Sequence, residues 1–163
     1  MVHHLEVPDL SPDSYKKFTD NYFNAAKALT ADDNKVKLTV VEQIDGKDVL
    51  HQRMDPGIMF VSARSTIVRQ YTVANSDGFV FFLTSKGNEE LEKKYASAIG
   101  KDVLATLEVN FWHFKVNGSG TSVTHVACSK PNGSIPDMVV DNMMKKQSES
   151  AIKVSEMIRS GKI

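Results

Sequence analysis

The chain has 163 residues, 41 % of them apolar and 25 % charged, with twenty basic side chains against twenty acidic ones. That length makes one domain, 1–163, and the zero net charge argues against nucleic acid as a partner and against a polybasic membrane anchor. A single cysteine, Cys128, excludes an internal disulfide framework, and no apolar run approaches the roughly 18–20 residues of a membrane span, so a cytoplasmic protein is the expectation. A monomer is the default expectation, on which the sequence itself is silent.

Val2–Val7 reads as a strand ended by Pro8. Ser11 as N-cap and Pro12 at the first helical position start a helical segment. Its face of Tyr15, Phe18, Tyr22, Phe23, Ala26 and Leu29 runs to about Thr30, with room for a break within Asp20–Asn24. From Lys35 the apolar period changes from about 3.6 residues to 2. Val36, Leu38, Val40 and Ile44 form one strand, Ile44-Asp45-Gly46-Lys47 a hairpin turn, and Asp48–Met54 the return strand. A β-rich run from Ile58 to about Val73 leads into the hairpin signal Asn75-Ser76-Asp77-Gly78 and the strand Phe79–Ser85. Asn88–Ile99 predicts a short surface helix on Leu91, Tyr95 and Ile99. Strands Val103–Val116 and Thr121–Ser129 flank the turn Asn117-Gly118-Ser119-Gly120.

Lys130-Pro131-Asn132-Gly133-Ser134-Ile135-Pro136-Asp137 launches the last element, with Ser134 a candidate N-cap and Pro136 suited to a first turn. No Gly or Pro interrupts from Asp137 to about Arg159, which predicts one rod on the order of 35 Å. Val140, Met143, Met144, Ala151, Val154, Met157 and Ile158 share a face, with Gln147 filling one gap. A long helix with a methionine-rich face needs an apolar surface to lie on. The fold class is therefore α+β: a curved antiparallel sheet of about seven strands wrapped around a long C-terminal helix.

Strict alternation assigns faces to the strands. It places Arg69 among Ile67, Tyr71 and Val73, sets Glu42 beside Val36, Leu38 and Val40, and puts Gln52 between Leu50 and Met54. On the later strand Val109, Phe111 and His113 share the inward face, leaving Trp112 outward. An unpaired charge in an apolar interior costs several kcal/mol, so an inward Arg69 needs a partner. Three readings stand: a buried pair with Glu42 or Gln52, a bulge that returns Arg69 to solvent, or a cavity end that holds a ligand head. The five histidines show no zinc-ligand spacing, and neither metal nor cofactor is expected.

Ser129–Asp137 with its long helix resembles the Asp-Pro-x-Gly-x-Ile-Pro signature of START domains, the steroidogenic acute regulatory protein-related lipid-transfer family. Gly120–His125 resembles the family's final strand. Phe60-Val61-Ser62-Ala63-Arg64 with Ile67-Val68-Arg69 resembles its Ser-x-Arg-Asp segment and second arginine, and Asn110-Phe111-Trp112 its Gly-Trp region. The match spans about Val36 to Ile158. Ser65 replaces the motif aspartate, Lys130 that of the final motif, and Leu104 an arginine. The family's opening helix and strands are missing, which leaves the shorter helix-grip layout of the birch-pollen-allergen superfamily.

The resemblance implies non-enzymatic binding and intermembrane transfer of one lipid (phospholipid, sterol or sphingolipid), with transient contact to a membrane surface. It implies a hydrophobic tunnel between sheet and C-terminal helix, a head-group role for Arg69, and a lid role for the helix. Glu42, Gln52, Tyr71, Val109, Phe111 and His113 would line that tunnel from the sheet; Val140, Met143, Met144 and Gln147 would line it from the helix. Two other uses of the same fold are a cyclase- or hydrolase-type enzyme relying on Glu42, His113 and Tyr71, and a groove for a partner helix.

Overall fold

The computed structural model describes residues 1–163, with the side chain of Met143 outside the described set. Eight strands form one sheet: β1 (Val2–Val7), β2 (Val36–Ile44), β3 (Lys47–Met54), β4 (Arg64–Asn75), β5 (Gly78–Thr84), β6 (Val103–Leu104), β7 (Thr106–Asn117) and β8 (Gly120–Lys130). Their order is β1-β8-β7-β5-β4-β3-β2, antiparallel throughout, with the two-residue β6 lying parallel beside β4. The hairpin turns fall where the Asp-Gly signals predict. Gly78 is required at its turn because a Cβ there would stand 1.9 Å from the Phe114 carbonyl oxygen.

The N-terminal segment is a 3₁₀ turn (Pro12–Tyr15), α1 (Lys16–Asp20) and α2 (Tyr22–Leu29), broken at Asn21. The short surface helix is α3 (Glu89–Lys94) with α4 (Ala96–Ile99). The C-terminal rod is not continuous. It is α5 (Asp137–Ser148) and α6 (Ser150–Arg159), interrupted at Glu149, and Pro136, rather than Ser134, occupies the N-cap. The run predicted as strand from Ile58 is a loop up to Arg64, with Met59 and Phe60 projecting into solvent.

The core sits between the sheet and the helices α1, α2 and α6. Phe18 meets Trp112 edge-on at 5.2 Å, Tyr22 lies 5.2 Å from Phe81, and Tyr15 stacks on Phe114 at 4.6 Å between centroids. Leu50, Val68, Leu83, Val123, Ala151 and Val154 complete it.

Two bulges decide which residues point into this core. In β7 the register shifts between Leu107 and Val109, so the extra residue Glu108 reverses the alternation. Leu107 is buried in the core, but beyond the bulge Trp112 and Phe114 turn inward while Phe111 and His113 turn out. The outward Trp112 of the regular-strand reading is corrected: it is 2 % exposed. In β2 the shift between Val40 and Glu42 likewise turns Glu42 to the convex side, where it pairs with Lys94 of α3 at 2.8 Å. On β4 both faces are apolar, because Ile67 is buried under the Asn88 region and Val68 against Leu50. The inward residues are Val68 and Gln70, so Arg69 and Tyr71 face outward.

Candidate functional site

Alternate residues of the strands make up the concave face, and it has two parts. Under α6 it is solid. The Tyr15 hydroxyl donates to Ser155 Oγ at 2.8 Å, and Ser155 donates onward to the Ala151 carbonyl at 2.9 Å. This fixes α6 to the N-terminal segment, and aromatic rings fill that end of the face.

A line of neutral polar groups crosses the same face. Asn110 Oδ1 accepts from Trp112 Nε1 at 2.8 Å and from His125 Nε2 at 3.0 Å. An amide oxygen only accepts, so His125 carries its proton on Nε2 and leaves a bare lone pair on Nδ1. Burial pushes the imidazole down from the ordinary 6.5 to about 4, and its ring stacks on Trp112 at 3.9 Å. His3 lies directly opposite His125 in the β1–β8 pairing. Both His125 Nδ1 and His3 Nε2 are buried without a protein partner. Farther along, Gln70 Nε2 donates to the Asp48 carbonyl at 2.7 Å and the Thr66 hydroxyl to the Ala105 carbonyl at 2.6 Å, with Gln52 paired opposite Thr66.

α5 sits differently from α6. Val139 is buried and Val140 and Gln147 are half-buried, but Met138 and Met144 are 66 % and 46 % exposed. Met143, expected in the cavity lining, lies outside the described residues. The approach to α5 is held by Arg64, itself 3 % exposed. Its guanidinium donates to the carbonyls of Ser134 at 2.8 Å, Asn132 at 3.2 Å and Pro131 at 3.4 Å, and to that of Ser62. At the far end Lys146 pairs with Asp33. Two open surface grooves, about 340 Å³ beside Pro12 and Phe79 and about 490 Å³ beside Asn21 and Lys162, touch none of these residues.

Among proteins of known structure, the chain superimposes on human STARD10 with a TM-score of 0.65 at 15 % identity, over 98 % of this chain and 65 % of that one. It matches a STAR-related lipid transfer protein fragment from Xanthomonas axonopodis with a TM-score of 0.68 at 15 % identity, over 97 % and 84 %. Ara h 8.0201 gives 0.54 at 11 % identity, over 98 % and 97 %. The fold is a START-like helix grip. The chain spans about two thirds of the length of STARD10. No family model and no curated protein matches the sequence.

Within the START-like domain the residues singled out by sequence scatter. Gln52 is on the concave face as expected. Arg69 is on the convex face, its side chain 30 % exposed, 3.9 Å from Asp45 and over the Tyr71 ring at 5.3 Å. Tyr71 stacks on Phe82 at 4.9 Å, and His113 Nε2 meets Asn75 Nδ2 at 3.2 Å. Val109 and Phe111 share that outer side. Glu42, His113 and Tyr71 thus do not converge as an acid–base set.

Ser65, standing where the START motif has aspartate, is supplied with one from elsewhere. Its hydroxyl donates to Asp102 Oδ2 at 2.7 Å, and Arg53 Nε donates to the same oxygen at 2.8 Å. His51 Nε2 lies 2.9 Å from Ser65 Oγ and, since the serine proton goes to Asp102, donates to it. This places serine, histidine and aspartate together in a wiring opposite to that of an activated nucleophile, and the network ties β3, β4 and the α4–β6 loop together.

Sequence reading missed His3, Asn110 and His125. The available signal was a histidine inside the apolar alternation Val123–Ala127; the Glu108 bulge hid Asn110.

Proposed function

We propose that residues 1–163 act as one lipid-binding unit that holds a single lipid against the concave face beneath α5 and carries it between membranes. The observation that carries this reading is the contrast between the two halves of the C-terminal element. α6 is locked over packed aromatic rings, whereas α5 leaves methionine surface in water while both its ends are tethered by polar contacts. A helix so placed is suited to lift as a lid, and methionine repacks readily around chains of different shape. The name of the Xanthomonas axonopodis neighbour, a STAR-related lipid transfer protein, supports the same class of cargo.

The energetics permit pickup and delivery. Each buried CH₂ is worth about 0.8 kcal/mol against water, so a chain of about 16 carbons gains roughly 13 kcal/mol, and a bilayer offers the same. Transfer is then close to balanced, and the lid sets the rate. Met59 and Phe60 project from the loop whose Ser62 carbonyl shares Arg64 with the start of α5, so an apolar tip and the lid hinge lie at one end of the molecule, suited to touching a membrane surface. Native mass spectrometry of the protein after incubation with mixed-lipid vesicles tests the proposal. One lipid per chain is the expected result; an unliganded mass after exposure to every vesicle composition overturns it.

A further inference from the structure

Among the described residues the polar groups of the concave face are largely neutral, and the Met1 ammonium near His125 donates to the Ala127 carbonyl at 3.2 Å. Gln52, Thr66, Gln70, Asn110 and His125 are neutral there. Arg69 is on the other face, and the buried Arg64 is saturated by carbonyls. Against this neutral background two ring nitrogens stand without a protein partner: Nδ1 of His125, in a side chain 1 % exposed, and Nε2 of His3 across the β1–β8 pair. Directly paired residues in an antiparallel ladder have Cα atoms only about 4.5–5.5 Å apart, so one small group can reach both rings. The Asn110 hydrogen bond fixes the His125 tautomer, so Nδ1 can only accept. No group of three His, Cys, Asp or Glu side chains stands together as a metal cage among the described residues.

We propose that this pair selects a neutral lipid bearing a free hydroxyl, whose O–H donates to His125 Nδ1 while its oxygen accepts from His3 Nε2–H. The inference rests on the reading that a lipid occupies the concave face, and it names the head-group chemistry of that site. A hydroxyl satisfies both nitrogens at once. A phosphate or an ether supplies no proton to Nδ1 and leaves a buried acceptor unpaired. Sterols, diacylglycerols and other hydroxyl lipids share the required group.

Competition between vesicle-borne lipids tests it. The full chain is offered cholesterol, cholesterol methyl ether, a diacylglycerol and phosphatidylcholine in otherwise identical vesicles, and bound lipid is counted by native mass spectrometry. The expected result is a preference of about tenfold for cholesterol over its methyl ether, for the diacylglycerol over phosphatidylcholine, or for both. That preference should collapse toward unity in His125→Gln and in His3→Leu. His3 is half-buried on an edge strand, so His3→Leu carries the test if His125→Gln does not fold. Nitrogen NMR of the wild-type histidines adds a second readout: His125 Nδ1 should shift with cholesterol and not with the ether. Equal uptake of hydroxyl and non-hydroxyl lipids, as when water alone bridges the two rings, overturns the hydroxyl assignment and leaves lipid binding standing. Uptake of no lipid at all overturns both.

Discussion

Arg64 Nη2 donates to the Ser134 carbonyl at 2.8 Å, and with the same guanidinium's bonds to Asn132, Pro131 and Ser62 it binds the start of α5 to the β3–β4 loop. The planar fork makes this possible; an ammonium offers a point charge and cannot fan across four carbonyls. Arg64→Ala should destabilise the fold by about 3 kcal/mol, roughly 6–12 °C in Tm for a domain of this size, by leaving buried carbonyls unpaired. Arg64→Lys should recover only part of the loss. Calorimetry gives the magnitude, and hydrogen exchange should show the added opening concentrated at residues 131–137. A Tm unchanged in Arg64→Ala would show that these contacts do not hold the hinge.

The Glu108 bulge assigns opposite fates to two adjacent aromatic residues. Trp112 is buried against Phe18 and His125, whereas Phe111 is half-buried on the convex side. Trp112→Ala should cost about 3–5 kcal/mol, and Phe111→Ala about 1–2 kcal/mol. Urea unfolding of the pair decides the register. The reverse ranking would restore a regular β7 without the bulge.

How far the sequence revealed this molecule follows from the same bulges. Strands, hairpins and the order of elements were legible because Asp45-Gly46, Asp77-Gly78 and Gly118 mark turns by local chemistry, and the period change at Lys35 is local too. Facing was not. One extra residue at Glu108 reverses every side chain after it, and nothing in Thr106–Asn117 announces the insertion. On β4, Ile67 and Val68 are both apolar and both buried, so alternation alone does not mark Arg69 as outward. The break at Glu149 was hidden as well, since no Gly or Pro marks it. Of the candidate site, the facing of Gln52 was legible; the His3–His125 pair joins strands more than a hundred positions apart, and the Glu108 bulge hid Asn110.

The buried His125 gives stability a pH dependence with a definite sign. Its imidazole titrates near 6.5 when unfolded and about 4 when folded, so the unfolded chain binds more protons between those values. The stability from keeping the ring neutral is complete above about pH 6.5 and is lost as pH falls toward 4, on the order of 3 kcal/mol in all. Burial depresses His51 in the same direction. Denaturant unfolding at pH 7 and pH 5 should show the loss, and His125→Gln should flatten most of that slope. An equal slope in that variant would assign the effect to other groups.

The most direct test of the account is to fasten α5 and measure transfer. Asp33 and Lys146 already pair at the far end of the helix, so cysteines at these two positions, in a chain whose exposed Cys128 is replaced by serine, can be bridged by a short reducible cross-linker. Transfer of a fluorescent lipid between donor and acceptor vesicles should fall at least about tenfold on bridging and return on reduction. A bridged protein that moves lipid as fast as the reduced one would contradict the lid.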